Sequence, residues 1–202
     1  MKKTMIALAG AGLLALGLSS TTFAADVAKL AHECDECHGK NGNSEHPEVP
    51  NIAGYSVTYM HDTLMAFKNG ERPGVKFKEE DGEEKDMNEE AKELTEDDIN
   101  ALAEHYAKQT FKSHAGEQKT DPALVAKGEK LFKKDCKKCH DEYGTDPEDD
   151  AGILGGQWMT YMEHQFKMFH SGEREMPKKM KKKFKKIDEA DYQAIIHALG
   201  SK

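Results

Sequence analysis

The chain has 202 residues, 37% hydrophobic and 33% charged, with 37 acidic against 29 basic side chains and a net charge of −8. That length fits one medium domain or two small ones, and a mean hydropathy of −0.80 leaves little apolar side chain for two cores. The acidic balance argues against nucleic acid as a partner. Past the first residues no segment is apolar enough to cross a bilayer, which takes about 20 residues.

The N-terminus reads as an export signal. Lys2 and Lys3 open it, residues 5–18 are apolar, and Thr22-Phe23-Ala24 resembles a small-residue cleavage site. Residues 1–24 are expected to be removed near Ala24, which places the mature protein in the periplasm with at most peripheral membrane contact. Charge is then unevenly shared. Residues 26–118 hold 22 acidic and 10 basic side chains, whereas residues 119–202 hold 15 acidic and 17 basic. Such a dipolar molecule is oriented as it meets a partner, and the two halves suggest two different docking faces.

The spacing of Val27, Leu30 and Ala31 predicts a short helix over residues 27–33. It leads into Cys34-Asp35-Glu36-Cys37-His38. A second helix, with Asp121 as N-cap and Pro122 in its first turn, leads into Cys136-Lys137-Lys138-Cys139-His140. Cys-x-x-Cys-His is the attachment signature of c-type haem. Each thiol adds to a vinyl group as a thioether, and the adjacent histidine becomes the first axial ligand of iron. All four cysteines, Cys34, Cys37, Cys136 and Cys139, are consumed in this way, with His38 and His140 on iron. Structural zinc pairs are usually much closer in sequence, and a thioredoxin-like pair belongs beside a βαβ pattern that is not seen here.

The repeat runs well past the cysteines. Residues 52–60 lie over residues 154–162 at a shift of 102, and Gly70-Glu71-Arg72 lies over Gly172-Glu173-Arg174 at the same shift. Between these landmarks each half has a helical stripe, Val57, Met60, Leu64 and Phe67 in the first and Met159, Met162, Phe166 and Phe169 in the second. Residues 79–84 form an acidic loop without an equal counterpart. The halves realign at a shift of 93, where residues 94–99 lie over 187–192. Thr95 and Asp188 are the expected N-caps of a final helix. These patterns predict an all-α chain of two tandem domains, 25–112 and 121–202, joined by a linker over 113–120.

Electron-transfer cytochromes often complete the iron with methionine. Met87 and Met180 match at the shift of 93, each seven residues before the final-helix landmark and each in a charged segment. They are the expected second ligands. Met60 and Met162 also match but lie on apolar stripes, and Met176 has no partner in the first half. Ligation by a second histidine is a further alternative, with His61, His105, His114, His164, His170 and His197 lacking any motif. Arg72 and Arg174 read either as partners of haem propionates or as helix-end salt bridges. Trp158 reads either as core or as a propionate donor.

On these residues the chain resembles the dihaem cytochrome c4 family over nearly its whole mature length. The second half, through Cys136-Lys137-Lys138-Cys139-His140, residues 153–158 and Met176-Pro177-Lys178-Lys179-Met180, is more closely similar to the cytochrome subunit of flavocytochrome c sulfide dehydrogenase. The resemblance implies two class I cytochrome c folds packed face to face around two covalently attached haem c groups. It further implies electron transfer between redox partners, a flavoprotein subunit or a terminal oxidase among them, without chemistry on a substrate. A dihaem peroxidase or thiosulfate-oxidising enzyme is the alternative from another class. It needs an open iron position, which a methionine on each iron argues against.

Overall fold

The computed structural model describes residues 26–78, 82 and 84–202. The expected export signal lies outside them, as does most of the acidic loop. The first half contains α1 (Val27–His38), α2 (Val57–Lys68), a two-residue antiparallel ribbon of β1 (Phe77–Lys78) and β2 (Glu84–Lys85), α3 (Met87–Lys92) and α4 (Glu96–Ala107). The second contains α5 (Pro122–Asp135), α6 (Met159–Ser171), α7 (Lys178–Phe184) and α8 (Glu189–Gly200).

Helix starts follow the capping residues. Asp26, Ser56, Asp86, Thr95, Asp121 and Asp188 each accept a backbone N–H of the first turn, and Thr95 forms a capping box with Asp98. In each half the first and last helices close one core. Ile99, Leu102, Ala103 and Tyr106 of α4 pack with Ala31, Met60 and Leu64. Tyr192, Ile195, Ile196 and Leu199 of α8 pack with Phe132, Met162 and Phe184.

The repeat is also present in backbone bonds. Ile52 N–H donates to Gly42 O at 2.8 Å and, 102 residues on, Leu154 N–H donates to Gly144 O at 2.8 Å. Gly54 N–H reaches Tyr106 O at 2.9 Å, and Gly156 N–H reaches Leu199 O at 2.9 Å. Gly54 and Gly156 sit at φ of 72° and 80°, a left-handed conformation that favours glycine. These bonds tie the loop after each Cys-x-x-Cys-His motif to the last helix of its half.

Several elements differ from expectation. The first helix does not stop at Glu33 but runs through the motif to His38. Val57, the first residue of α2, is 45% exposed and lies outside the core. The methionine segments ahead of the final helices are themselves short helices, α3 and α7. Most pronounced is the α5–α8 crossing, where Gly128 faces the backbone of Ala194 so closely that a Cβ would collide with its carbonyl. Gly128→Ala in the haem-loaded protein should therefore destabilise the second half by about 2 kcal/mol, the usual cost of overpacking. Thermal denaturation followed by circular dichroism checks this; an unchanged midpoint would contradict the crossing.

Candidate haem sites

Each motif lies against its own core. In the first half Cys34 and Met87 both pack on the cluster around Ile99 and Leu102, together with Leu94. In the second Cys136, Met176 and Met180 pack on the cluster around Ile195 and Leu199. The structure thus brings each expected methionine to the cluster that holds the first cysteine of its motif. Met176 joins Met180 there, whereas Met60 and Met162 lie buried within the cores. Burial pushes the Cys34 thiol up to about 12 and the Cys136 thiol up to about 11.

His38 is buried, and its Nδ1 lies 2.9 Å from Pro50 O. That contact makes Nδ1 the donor and leaves the Nε2 lone pair for a metal. Burial also holds His38 below the ordinary imidazole range, against the opposing effect of the Pro50 carbonyl. A neutral imidazole with Nε2 presented is the form an iron centre takes.

The two motifs differ in conformation. Asp35 accepts from Asn41 N–H at 2.8 Å, Gly42 N–H at 3.1 Å and Tyr106 OH at 2.8 Å, so one carboxylate ties the motif to its turn and to α4. The matching positions are Lys137 and Leu199, which supply neither carboxylate nor hydroxyl. In the second half the helix ends at Asp135, Cys136 to His140 form a turn, and Cys139 is exposed. Glu142 and Tyr143 that follow have φ of 41° and 63°.

Between the halves runs a seam of buried polar side chains. Gln157 Oε1 accepts from Asn51 N–H at 3.0 Å, and Gln157 Nε2 donates to Asn51 O at 2.9 Å. Asn51 Nδ2 donates to Lys112 O, and its Oδ1 lies 3.1 Å from His114 Nε2. His114 stacks on Trp158 with ring centroids 3.8 Å apart, and the Trp158 indole N–H donates to Ser44 O at 3.0 Å. Trp158 is therefore a seam residue. The segment expected as the linker, residues 113–120, is pinned here by His114 and Gln118.

Beside this lies a reciprocal pair. Arg72 donates to Tyr161 OH at 3.1 Å and to Gln165 Oε1 at 3.3 Å, while Arg174 bonds Gln165 and Tyr59. Each arginine thus reaches the tyrosine of the opposite half. Each also lies 4.5 Å over a phenylalanine of its own half, Phe67 or Phe169. Among the described residues neither guanidinium meets a carboxylate, so the helix-end salt bridge is absent, and the buried Arg72 Nε has no hydrogen-bond partner. Burial acts to raise the Tyr59 phenol, but Arg72 and Arg174 outweigh it and bring it below the ordinary value. A cationic pair, Arg72 buried and Arg174 half-buried, with no anion among the described residues fits a cofactor that carries carboxylates. The thiols, the oriented His38 and these arginines together fit a covalently held haem.

Comparison with known proteins agrees. Residues 24–109 match the family model "Cytochrome c", and residues 123–197 match "Cytochrome C oxidase, cbb3-type, subunit III". Cytochrome c4 of Stutzerimonas stutzeri is 32% identical over 189 residues, covering 86% of this chain and 85% of that protein. The chain belongs to the cytochrome c4 family. It is a dihaem electron-transfer cytochrome with two covalently bound haem c groups, one for each cytochrome c domain. The crystal structure of reduced cytochrome c4 from Pseudomonas stutzeri superposes with a TM-score of 0.69 at 26% identity, covering 87% of this chain and 95% of that one. The cytochrome subunit of sulfide dehydrogenase from Chlorobaculum tepidum is 33% identical over 85 residues, 42% of this chain and 67% of that protein.

Sequence reasoning did not find the seam roles of Asn51, His114 or Gln157, because their partners lie across the seam. Gln157→Ala would leave Asn51 N–H, Asn51 C=O and Trp158 N–H without the side chain they share. At about 1–3 kcal/mol for each buried group left unpaired, the seam should loosen while each half stays folded. Calorimetry should then resolve two transitions where the parent shows one.

Proposed function

We propose that this cytochrome is a periplasmic electron carrier, exported by residues 1–24, with domains over 25–112 and 121–202. In this reading Cys34 and Cys37 hold the first haem with His38 and Met87 on its iron. Cys136 and Cys139 hold the second with His140 and Met180. When bound, each haem supplies an iron centre that takes up and releases one electron. The chain's residues set the conditions for that exchange. Methionine sulfur favours reduced iron and raises the potential. The Pro50 carbonyl orients His38, and Arg72 and Arg174 take up propionate charge at the seam. No residue is assigned to chemistry on a substrate.

One observation carries the ligand reading. Met87 and Met180, matched at one shift, lie on the same apolar cluster as the first cysteine of their own motif. The asparagine after Met87 supports it. Asn88 donates to Phe67 O at 2.7 Å and Arg72 O at 2.8 Å and accepts from Gly74 N–H at 2.6 Å, which fixes the start of α3 against the end of α2. For localisation the support is the leader sequence, together with the lack, among the described residues, of any helix long and apolar enough to cross a membrane.

A flavoprotein subunit is the proposed partner class, supported by the partial likeness to a sulfide dehydrogenase cytochrome subunit. A flavin-containing chain should co-purify, and sulfide should then reduce the haems; purification alone, with no response to sulfide, would leave a free carrier serving an oxidase.

The ligand set is tested by substitution. Met87→Ala and Met180→Ala should each remove about half of the weak iron–sulfur absorbance band and lower one potential by a sizeable part of the ~0.8 V that axial ligands span. Met176→Ala should leave both unchanged. Loss of the band on Met176→Ala instead would transfer the role from Met180 to Met176.

A further inference from the structure

The two proposed iron methionines sit on short helices that are held in different ways. Asn88, next to Met87, uses its whole side-chain amide on the backbone around it. It donates to Phe67 O at 2.7 Å and to Arg72 O at 2.8 Å, and its Oδ1 accepts from Gly74 N–H at 2.6 Å. Phe67 and Arg72 bracket the end of α2, so one side chain ties that end to the residue beside the ligand. Asp86, on the other side of Met87, caps α3 by accepting from Asn88 N–H at 2.9 Å and Glu89 N–H at 3.1 Å. Lys76, just ahead of β1, reaches Asp86 at 3.3 Å and Glu89 at 2.9 Å. At the far end of α3, Lys68 of α2 donates to Lys92 O at 2.9 Å and to Leu94 O at 2.6 Å. The fit is close, since a Cβ on Gly74 would stand 3.0 Å from Met87 N.

The matching positions of the second half cannot form these bonds. At the shift of 93, Lys179 stands over Asp86 and Lys181 over Asn88. A lysine side chain accepts no hydrogen bond, so it can neither cap a helix start nor take the Gly74 role of partner. At the shift of 102, His170 stands over Lys68. Its ring packs instead on Phe184 and Tyr192, with centroids 4.7 Å and 5.1 Å away. Among the described residues no side chain caps the start of α7, which opens after Pro177. Residues 177–179 and 181–183 are exposed. The anchors of this helix are the buried Phe184 and the Lys183–Asp135 pair at 3.0 Å. Both lie on the C-terminal side of Met180, whereas Met87 is tied on both sides.

We propose that Asn88 is a positioning residue that locks Met87 onto the first iron, and that the second iron is the one from which a small neutral donor such as imidazole displaces methionine. The proposal rests on the ligand reading above and adds how firmly each iron–sulfur bond is held. A methionine leaves iron when its segment swings away. Swinging the start of α3 breaks the three Asn88 bonds and the Asp86 cap together. Each such bond changes the population of the open state by about two- to tenfold, and bonds in one network open as a group. Swinging the start of α7 breaks no side-chain bond among the described residues. Local opening differs across one structure on such grounds. The first iron is therefore closed to small ligands, and the second admits one.

The test titrates the oxidised, haem-loaded full chain with imidazole and reads the weak iron–sulfur band. In the parent the band should fall in two steps. The easier step should be absent from Met180→Ala and retained in Met87→Ala. Asn88→Ala should tighten imidazole binding at the first haem about tenfold, as expected when linked bonds are lost together. Thr95→Ala is the control. It removes the cap of α4 and destabilises the same half without removing a bond to the start of α3, and it should leave the first-haem step where it is. If Asn88→Ala does not fold around haem, Asn88→Asp keeps the acceptor for Gly74 N–H, loses both donated bonds and should move the step in the same direction. An unchanged first-haem affinity in whichever Asn88 variant folds would overturn the proposal, as would equal tightening in Thr95→Ala. So would a parent whose easier step is the one lost in Met87→Ala, whose two haems titrate together, or whose band survives saturating imidazole. A band untouched by both methionine substitutions would instead overturn the ligand reading itself.

Discussion

The joint between the two domains depends on one side chain bonded twice to one backbone. Gln157 both accepts from and donates to Asn51, 106 residues earlier. Around that clasp Asn51 reaches Lys112 and His114, His114 stacks on Trp158, and Trp158 returns to Ser44. Most of these groups are neutral, buried and directional. Such contacts fix an orientation, because a small rotation breaks several buried hydrogen bonds at once. Two small, charge-rich domains that have little apolar surface to spare are thus held by polar geometry, with the linking segment built into the joint.

The arginine pair adds a second constraint of a different kind. Arg72 and Arg174 face each other across the seam with tyrosines and a glutamine as partners and no carboxylate among the described residues. Two cations repel, and the burial of Arg72 removes part of the water that would screen them. The seam is consequently matched to a protein whose cofactors bring carboxylates.

Much of this was legible in the chain. The two Cys-x-x-Cys-His motifs, the shifts of 102 and 93, and the caps Asp121, Thr95 and Asp188 all have local causes, and each appears where the pattern puts it. Less legible were features that depend on distant partners. That α1 continues through its motif while α5 stops before the second follows from Asp35 bonding Tyr106, a pair replaced by Lys137 and Leu199. The matched positions were visible, but their consequence requires knowing that α4 lies beside α1. Nothing local marks Gln157, since its partner Asn51 lies 106 residues earlier. Departures from the repeat, Asn51 over Ile153, Tyr55 over Gln157 and Ser56 over Trp158, coincide with the residues of the clasp.

The clasp should hold the two haem domains as one body of fixed orientation. The distance distribution between the two ferric haem irons, measured by pulsed electron paramagnetic resonance on the frozen holoprotein, tests it most directly. A single narrow distance that is the same at low and high salt is predicted, since the clasp is uncharged. A broad distribution, or one that shifts with salt, would show domains that move independently and would contradict the account.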